Sequence, residues 1–326
     1  MRAVGCMELG APSVLRPLEI DRPACGERQV LIRTEGVSVN YADLQTRRGA
    51  YHAGGTQFPV IPGLDVTGTV EEVGARVRTL RPGQRVIAFP HTGSYADFVA
   101  ADEDLTFPVP ESVSLEQAIA CPLVTFTSRM LLEKVARLSP GETLVIHAAS
   151  GGIGTTVIQM ARLMGAGAII GTVGSRGKTQ AALDAGADRV VCLEDGGFSE
   201  QVLAQTGGRG ADVILDSLGG TYTNEGLSCL VPYGRLVVFG NASRSYSELN
   251  TSALHASCRS VLGFSIGSTR KLRPAWFQDV APAVLEDLAL GRIRIPVAAR
   301  FPLEEAARAH ALLEERRITG KVILTV

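Results

Sequence analysis

From residue 1 to about Leu115 the apolar positions come in short runs broken by turn residues: QVLIRTEGVSVN, VTGTVEEVG, QRVIAF and YADFVAA. Runs of this length closed by Gly, Pro, Asn and Asp predict a mostly antiparallel β-domain, with GAYHAGGTQFPVIPG and RPGQ as loops between strands. From about Leu115 the texture changes. TLVIHA, AIIGTV, RVVCL, DVILDS, RLVVFG and SVLGF are continuous apolar runs with few charges, the pattern of strands buried on both faces of a parallel sheet. After the first of them Ile153, Val157, Met160, Ala161 and Met164 recur at helical spacing, and Gly165 and Gly167 end that helix. Further helices are expected at Lys178–Ala185, Ser199–Gln205 and Thr221–Leu230. Strands alternating with crossover helices predict an α/β fold with a doubly wound parallel sheet.

After about Ser265 the sheet texture fades into RPAWFQDVAPAVLEDLALGRI, a long amphipathic helix, and then FPLEEAARAHALLEERRITGKVILTV, which reads helix, glycine turn, strand. That is too little for a domain of its own, so the chain is expected to return to its first domain. The boundaries are then a discontinuous β-rich domain, 1–122 with 267–326, forming a cleft against a sheet domain, 123–266. With 326 residues the chain is long enough for two cores.

Charge narrows the partners. Lys plus Arg number 32 against 33 Asp plus Glu, mixed rather than blocked, which argues against nucleic acid. No run at the N-terminus has signal-peptide character and none approaches the roughly 20 apolar residues of a membrane span, so a cytoplasmic, non-membrane protein is expected. Cys6, Cys25, Cys121, Cys192, Cys229 and Cys258 are scattered singly, without a C-x-x-C pair, and read as reduced thiols.

The strand TLVIHA runs into Ala149, Ser150, Gly151, Gly152, Ile153 and Gly154 and then into a helix, the strand–loop–helix context of a dinucleotide site with Ala in the first glycine position. Gly151 lets the backbone approach a pyrophosphate, Gly154 lets helix pack on strand, and the helix N-terminus offers unpaired N–H groups to phosphate. An NAD site usually ends its second strand in Asp or Glu, to hold the ribose hydroxyls. Here AIIGTV is followed by Gly174, Ser175, Arg176, Gly177 and Lys178. A hydroxyl and two cations without a carboxylate match a 2′-phosphate, which points to NADPH.

Taken together, VNYADLQTRRGAY, PVIPGLDVTGTVEEVG, RPGQRVIAF, GETLVIHAASGGIG, GTVGSRGK, AGADRVV, DVILDSLGG, YGRLVVFG and LLEERRITGKVILTV resemble the zinc-free quinone oxidoreductase branch, related to ζ-crystallin, of the medium-chain dehydrogenase/reductase superfamily. The likeness runs over essentially the whole chain. It implies a GroES-like catalytic domain made from both chain ends, a Rossmann domain, NADPH, and a homodimer joined through Rossmann sheet edges. Onto matching positions it carries Asn40 and Thr127 at the nicotinamide end, Ser150 and Gly151 to Gly154 (including Gly152 and Ile153) at the pyrophosphate, and Gly174, Ser175 and Lys178 at the 2′-phosphate. It also places Ser217, Leu218, Phe239, Gly240, Asn241, Phe264, Ser265, Ile266 and Lys321 around the rest of the cofactor. Two departures stand out: RVVCL offers Cys192 and Leu193 where relatives often have a Tyr, and Thr125-Phe126-Thr127-Ser128 replaces Gly-Leu-Thr-Ala, with bulk that would reshape the pocket near the nicotinamide.

The places where zinc alcohol dehydrogenases carry metal ligands read NYAD, GLD and Thr125, and FPHTGSYADFV has none of the four cysteines of a structural zinc lobe. No metal is therefore expected, and His52 and His91 read as loop or packing residues. A ketone taking hydride without a Lewis acid needs a strong oxyanion stabiliser, whereas a quinone or an enone delocalises the charge it accepts. The expected reaction is NADPH-dependent reduction of a quinone or α,β-unsaturated carbonyl. Alternatives are an enoyl-thioester reductase acting on acyl-CoA or acyl carrier protein, and an NADPH-binding structural or regulatory protein with little turnover. Asn40 and Tyr51 are the candidate catalytic residues; Tyr51 matches a Tyr of related enoyl-thioester reductases, and its phenol can donate a proton. Tyr41 and Asp43 read equally as turn residues, and Arg47 with Arg48 either as solvated loop cations or as an attraction for an anionic substrate.

Overall fold

The computed structural model describes residues 1–50, 57–91 and 93–326. They divide into two compact units, Met1–Phe126 with Arg270–Val326, and Thr127–Thr269. In chain order the first unit contributes β1 (Arg2–Gly5), β2 (Arg16–Glu19), β3 (Gln29–Val39), α1 (Tyr41–Arg47), β4 (Val66–Val73), β5 (Arg85–Ala88), β6 (Phe98–Asp102), β7 (Thr106–Pro108) and α2 (Leu115–Ala120). The helix α3 (Pro122–Met130) leads on to β8 (Thr143–Ile146), α4 (Gly152–Leu163), β9 (Ala168–Val173), α5 (Thr179–Asp184), β10 (Arg189–Cys192), α6 (Phe198–Gln205), β11 (Ala211–Asp216), α7 (Thr221–Ser228), β12 (Leu230–Val238), α8 (Thr251–Ser257) and β13 (Ser260–Gly263). The tail forms α9 (Ile266–Leu272), α10 (Ala275–Ala289), β14 (Val297–Pro302), α11 (Ala306–Glu314) and β15 (Lys321–Thr325).

In the first unit a seven-stranded sheet runs β14-β15-β3-β4-β5-β7, with β6 also on β3. All its pairings are antiparallel except β14 on β15, which is parallel. The 11-residue β3 is its centre, pairing with β4, β6 and β15, and it is buried along most of its length as a central strand must be. The tail therefore supplies two strands to this sheet, where the residue pattern predicted one. In β14, VAARFP, the burial alternates half-buried and exposed, so the strand has no fully apolar face to reveal it.

The second unit is a six-stranded sheet in the order β10-β9-β8-β11-β12-β13, every pair parallel. Each of the six expected runs is a strand. With β8 as the first, the order reads 3-2-1-4-5-6, the Rossmann order, and its topological switch point lies between β8 and β11. Val145, Ile170, Ile214 and Leu236 from four of these strands lie in one buried core cluster, the reason the runs carry so few charges. The helix expected to run to Leu230 stops at Ser228, because Leu230 is already committed to pairing with Ala211.

Two sequence expectations change here. Arg47 is no solvated loop cation: it ends α1, is fully buried, and pairs with Glu314 of α11, which also takes Arg48 at 2.7 Å. Phe126 does not line an open pocket; its ring packs among Phe89, Phe107 and Phe277 in the core of the first unit.

Candidate functional site

Because the six strands of the second unit are all parallel, the residues that follow them gather at one edge of the sheet. Ser150 and Gly151 to Gly154 follow β8, Gly174 and Ser175 follow β9, Ser217 and Leu218 follow β11, Phe239 to Asn241 follow β12, and Phe264 to Ile266 follow β13. The structure thus brings all of the strand-end residues predicted from the sequence to the carboxyl edge, where open α/β sheets bind ligands.

Gly151 is the N-cap of α4 and provides no side-chain cap, so the first N–H groups of the 12-residue helix are left for another acceptor. A Cβ on Gly154 would stand 2.3 Å from Ala148 O and 2.6 Å from Ala149 Cα, so only glycine lets α4 sit this close to its own loop. At Gly174 and Gly177, by contrast, a Cβ would meet nothing within 4 Å, so these two glycines border open space. Next to them Ser175 and Lys178 are half-buried, while Arg176 is exposed and held 2.6 Å from Asp195. Arg176 is thus engaged by a carboxylate.

Two buried hydroxyls on the predicted list, Thr127 Oγ1 on α3 and Ser217 Oγ after β11, have no partner among the described residues. A buried unpaired hydroxyl costs about 1–3 kcal/mol, which a ligand atom would recover. The loops beyond β11 and β12 are themselves well determined. Asp216 accepts from Leu218 N (2.8 Å), Gly219 N (2.9 Å) and Thr223 Oγ1 (2.6 Å), and Gly240 passes so near Ser217 O that a Cβ would lie 2.8 Å away. His147, just after β8, bonds Thr172 through Nδ1 at 2.8 Å; burial holds it neutral, with its acidity shifted to about 4.

In the first unit the centre of chemistry is Asn40, the N-cap of α1. Its backbone N–H donates to Asp43 Oδ2 at 2.8 Å, one arm of a capping box. Asp43 is therefore a helix-starting residue, not a turn residue. It is fully buried, accepts also from Gly63 N (3.2 Å) and Tyr95 hydroxyl (3.3 Å), and burial pushes its pKa up to about 7 despite those bonds. The same Tyr95 hydroxyl lies 3.1 Å from His310 Nε2. His310 is driven down to about 3, first by burial and then by the charges of Arg47 and Arg48, so it is neutral. Asp65 is also fully buried and raised by burial, against the opposing charge of Lys321. Lys321 opens β15, and its Nζ donates to Val39 O at 2.8 Å and to Asn40 Oδ1 at 2.6 Å.

Sequence reasoning did not find Asp65, Tyr95 and His310 as members of this network. The N-x-x-D spacing of Asn40 and Asp43 is a capping-box signal that was legible; Tyr95 and His310, 215 residues apart, carry none. Tyr51, with His52, lies outside the described residues. Among the described residues no group of three or more His, Cys, Asp or Glu is placed to hold a metal ion, and no helix is long and apolar enough to cross a membrane.

Comparison with known proteins agrees with this geometry. Residues 26–111 match the alcohol dehydrogenase GroES-like domain and residues 152–284 match the zinc-binding dehydrogenase family. The chain is 32% identical over 327 residues to a quinone oxidoreductase of Rattus norvegicus, covering 99% of this chain and 97% of the relative. It is 34% identical over 321 residues to a quinone oxidoreductase of Pseudomonas aeruginosa, covering 97% and 96%. Among solved structures, Escherichia coli quinone oxidoreductase complexed with NADPH superposes with a TM-score of 0.93 at 29% identity, covering all of both chains. A mycobacterial protein complexed with NADPH superposes at 0.91 and 32%, again over the whole of both. A GroES-like domain, a Rossmann sheet with a glycine loop at its switch point, and full-length identity above 30% place this chain in the quinone oxidoreductase branch of the medium-chain dehydrogenase/reductase superfamily.

Proposed function

We propose that the protein is an NADPH-dependent quinone oxidoreductase that reduces a quinone or an α,β-unsaturated carbonyl without zinc. The observation that carries this reading is the carboxyl edge of the second unit: an uncapped α4 behind a glycine loop, with Ser175 and Lys178, and no carboxylate, directly after β9. Bound there, NADPH supplies the hydride. The chain's own work is then to hold pyrophosphate on the N–H groups of Gly151 to Gly154 and the 2′-phosphate on Ser175 and the ammonium of Lys178. Thr127 and Ser217 offer their unpartnered hydroxyls to the cofactor, and Leu218, Phe239 to Asn241 and Phe264 to Ile266 flank it. Asn40 and Lys321 serve its nicotinamide end. Tyr51, outside the described residues, is assigned proton donation to the reduced acceptor.

The absence of a metal-ligating group among the described residues favours acceptors that spread their own charge. A cytoplasmic location fits six cysteines, all unpaired. A homodimer fits β13, an edge strand of the parallel sheet whose outer side has no strand partner among the described residues. The test is an initial-rate panel following NADPH consumption with 1,4-benzoquinone, 9,10-phenanthrenequinone and crotonyl-CoA. Turnover with the quinones is expected. Turnover with crotonyl-CoA alone would make the protein an enoyl-thioester reductase, and tight NADPH binding with no turnover on any acceptor would make it a binding protein.

A further inference from the structure

Three ionisable side chains, Asp43, Asp65 and Lys321, are buried together around the carboxamide of Asn40, itself buried. An ammonium has donors only, so the Asn40 atom 2.6 Å from Lys321 Nζ is the amide oxygen. The other end of the amide is equally constrained. Nδ2 donates to Ser38 Oγ at 3.1 Å and Ser38 O at 3.2 Å, and lies 3.5 Å from Asp65 Oδ2. Asp65 accepts from Ser38 N (3.1 Å), Ser38 Oγ (2.7 Å) and Leu123 N (3.1 Å), so the single proton of the Ser38 hydroxyl is already committed. Turning the amide over would set its NH2 against the ammonium and its oxygen against a carboxylate and a carbonyl. Asn40 is thus held in one orientation, with Oδ1 toward Lys321 and Nδ2 toward Ser38 and Asp65.

We propose that Lys321 is a positioning residue, which locks the Asn40 carboxamide so that Oδ1 is the atom available to a hydrogen-bond donor of the cofactor's nicotinamide riboside, its carboxamide NH2 or a ribose hydroxyl. Lys321 places two of its three donors on Val39 O and Asn40 Oδ1, and this role does not require it to touch the cofactor. The proposal rests on the reading that Asn40 serves the nicotinamide end of NADPH. It assigns to Lys321 an indirect role that identity of the residue alone does not suggest.

The experiment is fluorescence titration of NADPH and, in competition, of 2′,5′-ADP, which lacks the nicotinamide riboside, against wild type, Asn40→Ala, Lys321→Met, Lys321→Arg, Asp65→Asn and the doubles Lys321→Met/Asn40→Ala and Lys321→Met/Asp65→Asn. Lys321→Met is expected to raise the Kd for NADPH roughly tenfold, the scale of one charge-assisted hydrogen bond, and to leave the Kd for 2′,5′-ADP unchanged. Lys321→Arg should recover part of the loss. In the Asn40→Ala background the Lys321 substitution should add nothing, because the amide it orients is gone. Removing Asp65's charge should not restore affinity. Where Lys321→Met fails to fold, the charge-neutral double compared with Asp65→Asn carries the same test. Full recovery in the Asp65→Asn double, an equal loss of 2′,5′-ADP affinity, or independent effects of Lys321 and Asn40 would each overturn the positioning role. An unchanged NADPH Kd in Asn40→Ala would overturn the placement of Asn40 and the proposal with it, and no NADPH binding by wild type would overturn the reading beneath both.

Discussion

His310 reaches Tyr95, Tyr95 reaches Asp43, and Asp43 caps the helix that begins beside Asn40. A tyrosine hydroxyl has one proton, so the chain of bonds has two consistent states. With Asp43 ionised, Tyr95 donates to it and His310 donates to Tyr95; with Asp43 protonated, both bonds reverse. The two titrating ends pull stability in opposite directions. His310 has a folded pKa of about 3, below its unfolded value of about 6.5, so its contribution is present above pH 6.5 and is lost as pH falls toward 3. Asp43 has a folded pKa of about 7, above its unfolded value, so its contribution is present below about pH 4 and is lost as pH rises through 7. Between about pH 4 and 6.5 they offset one another. His310→Gln should therefore lose less stability on acidification than wild type, the difference in slope being at most about 1.4 kcal/mol per pH unit, read by urea unfolding at pH 4 to 7. Parallel slopes would show that His310 takes a proton in the folded state. None of this was readable from the chain beyond the Asn40–Asp43 spacing, since burial, which moves both groups, is a property of packing.

At the scale of the element, the loop from β8 into α4 shows two glycines in different roles. Gly154 is demanded by packing: a methyl there would overlap backbone atoms of Ala148 and Ala149, which cannot swing aside as a side chain would. Gly154→Ala should cost about 1–3 kcal/mol and lower the Tm by several degrees, measured by calorimetry. Gly151→Ala, whose methyl would find its nearest atom, Ala148 O, at 3.3 Å, should leave the Tm closer to wild type. Equal losses would mean that the crowding seen at Gly154 is relieved by a small shift of α4. The loop itself was legible, because strand, glycines and helix follow one another along the chain. The different demands on its glycines were not, because they depend on how closely helix and loop approach.

For the whole molecule, the chain's return to its first unit is the decisive event. It brings Lys321 to Asn40 across 281 residues and inserts β15 beside β3. Cofactor binding is expected to appear as a stability of the whole protein: a ligand bound only by the folded state at 100 times its Kd adds about 2.7 kcal/mol. NADPH should raise the Tm, and more than NADH at equal concentration. Lys178→Ala should remove most of the NADPH shift and little of the NADH shift. Equal reductions for the two nucleotides would refute the 2′-phosphate assignment.

By itself the sequence determined the parallel sheet, its order of strands and helices, the glycine loop and the cation-bearing turn after β9. All are written in neighbouring residues, as continuous apolar runs, helical spacing and turn chemistry. Only the tertiary structure decided that Arg47 is a buried partner of Glu314, that Phe126 belongs to an aromatic core, that Arg176 is occupied by Asp195, and that Lys321 turns inward to Asn40. Apart from the exposed Arg176 pair, those outcomes depend on which distant charges and rings share a dry interior. There an unpaired ionic group is so costly that partners far apart along the chain must meet.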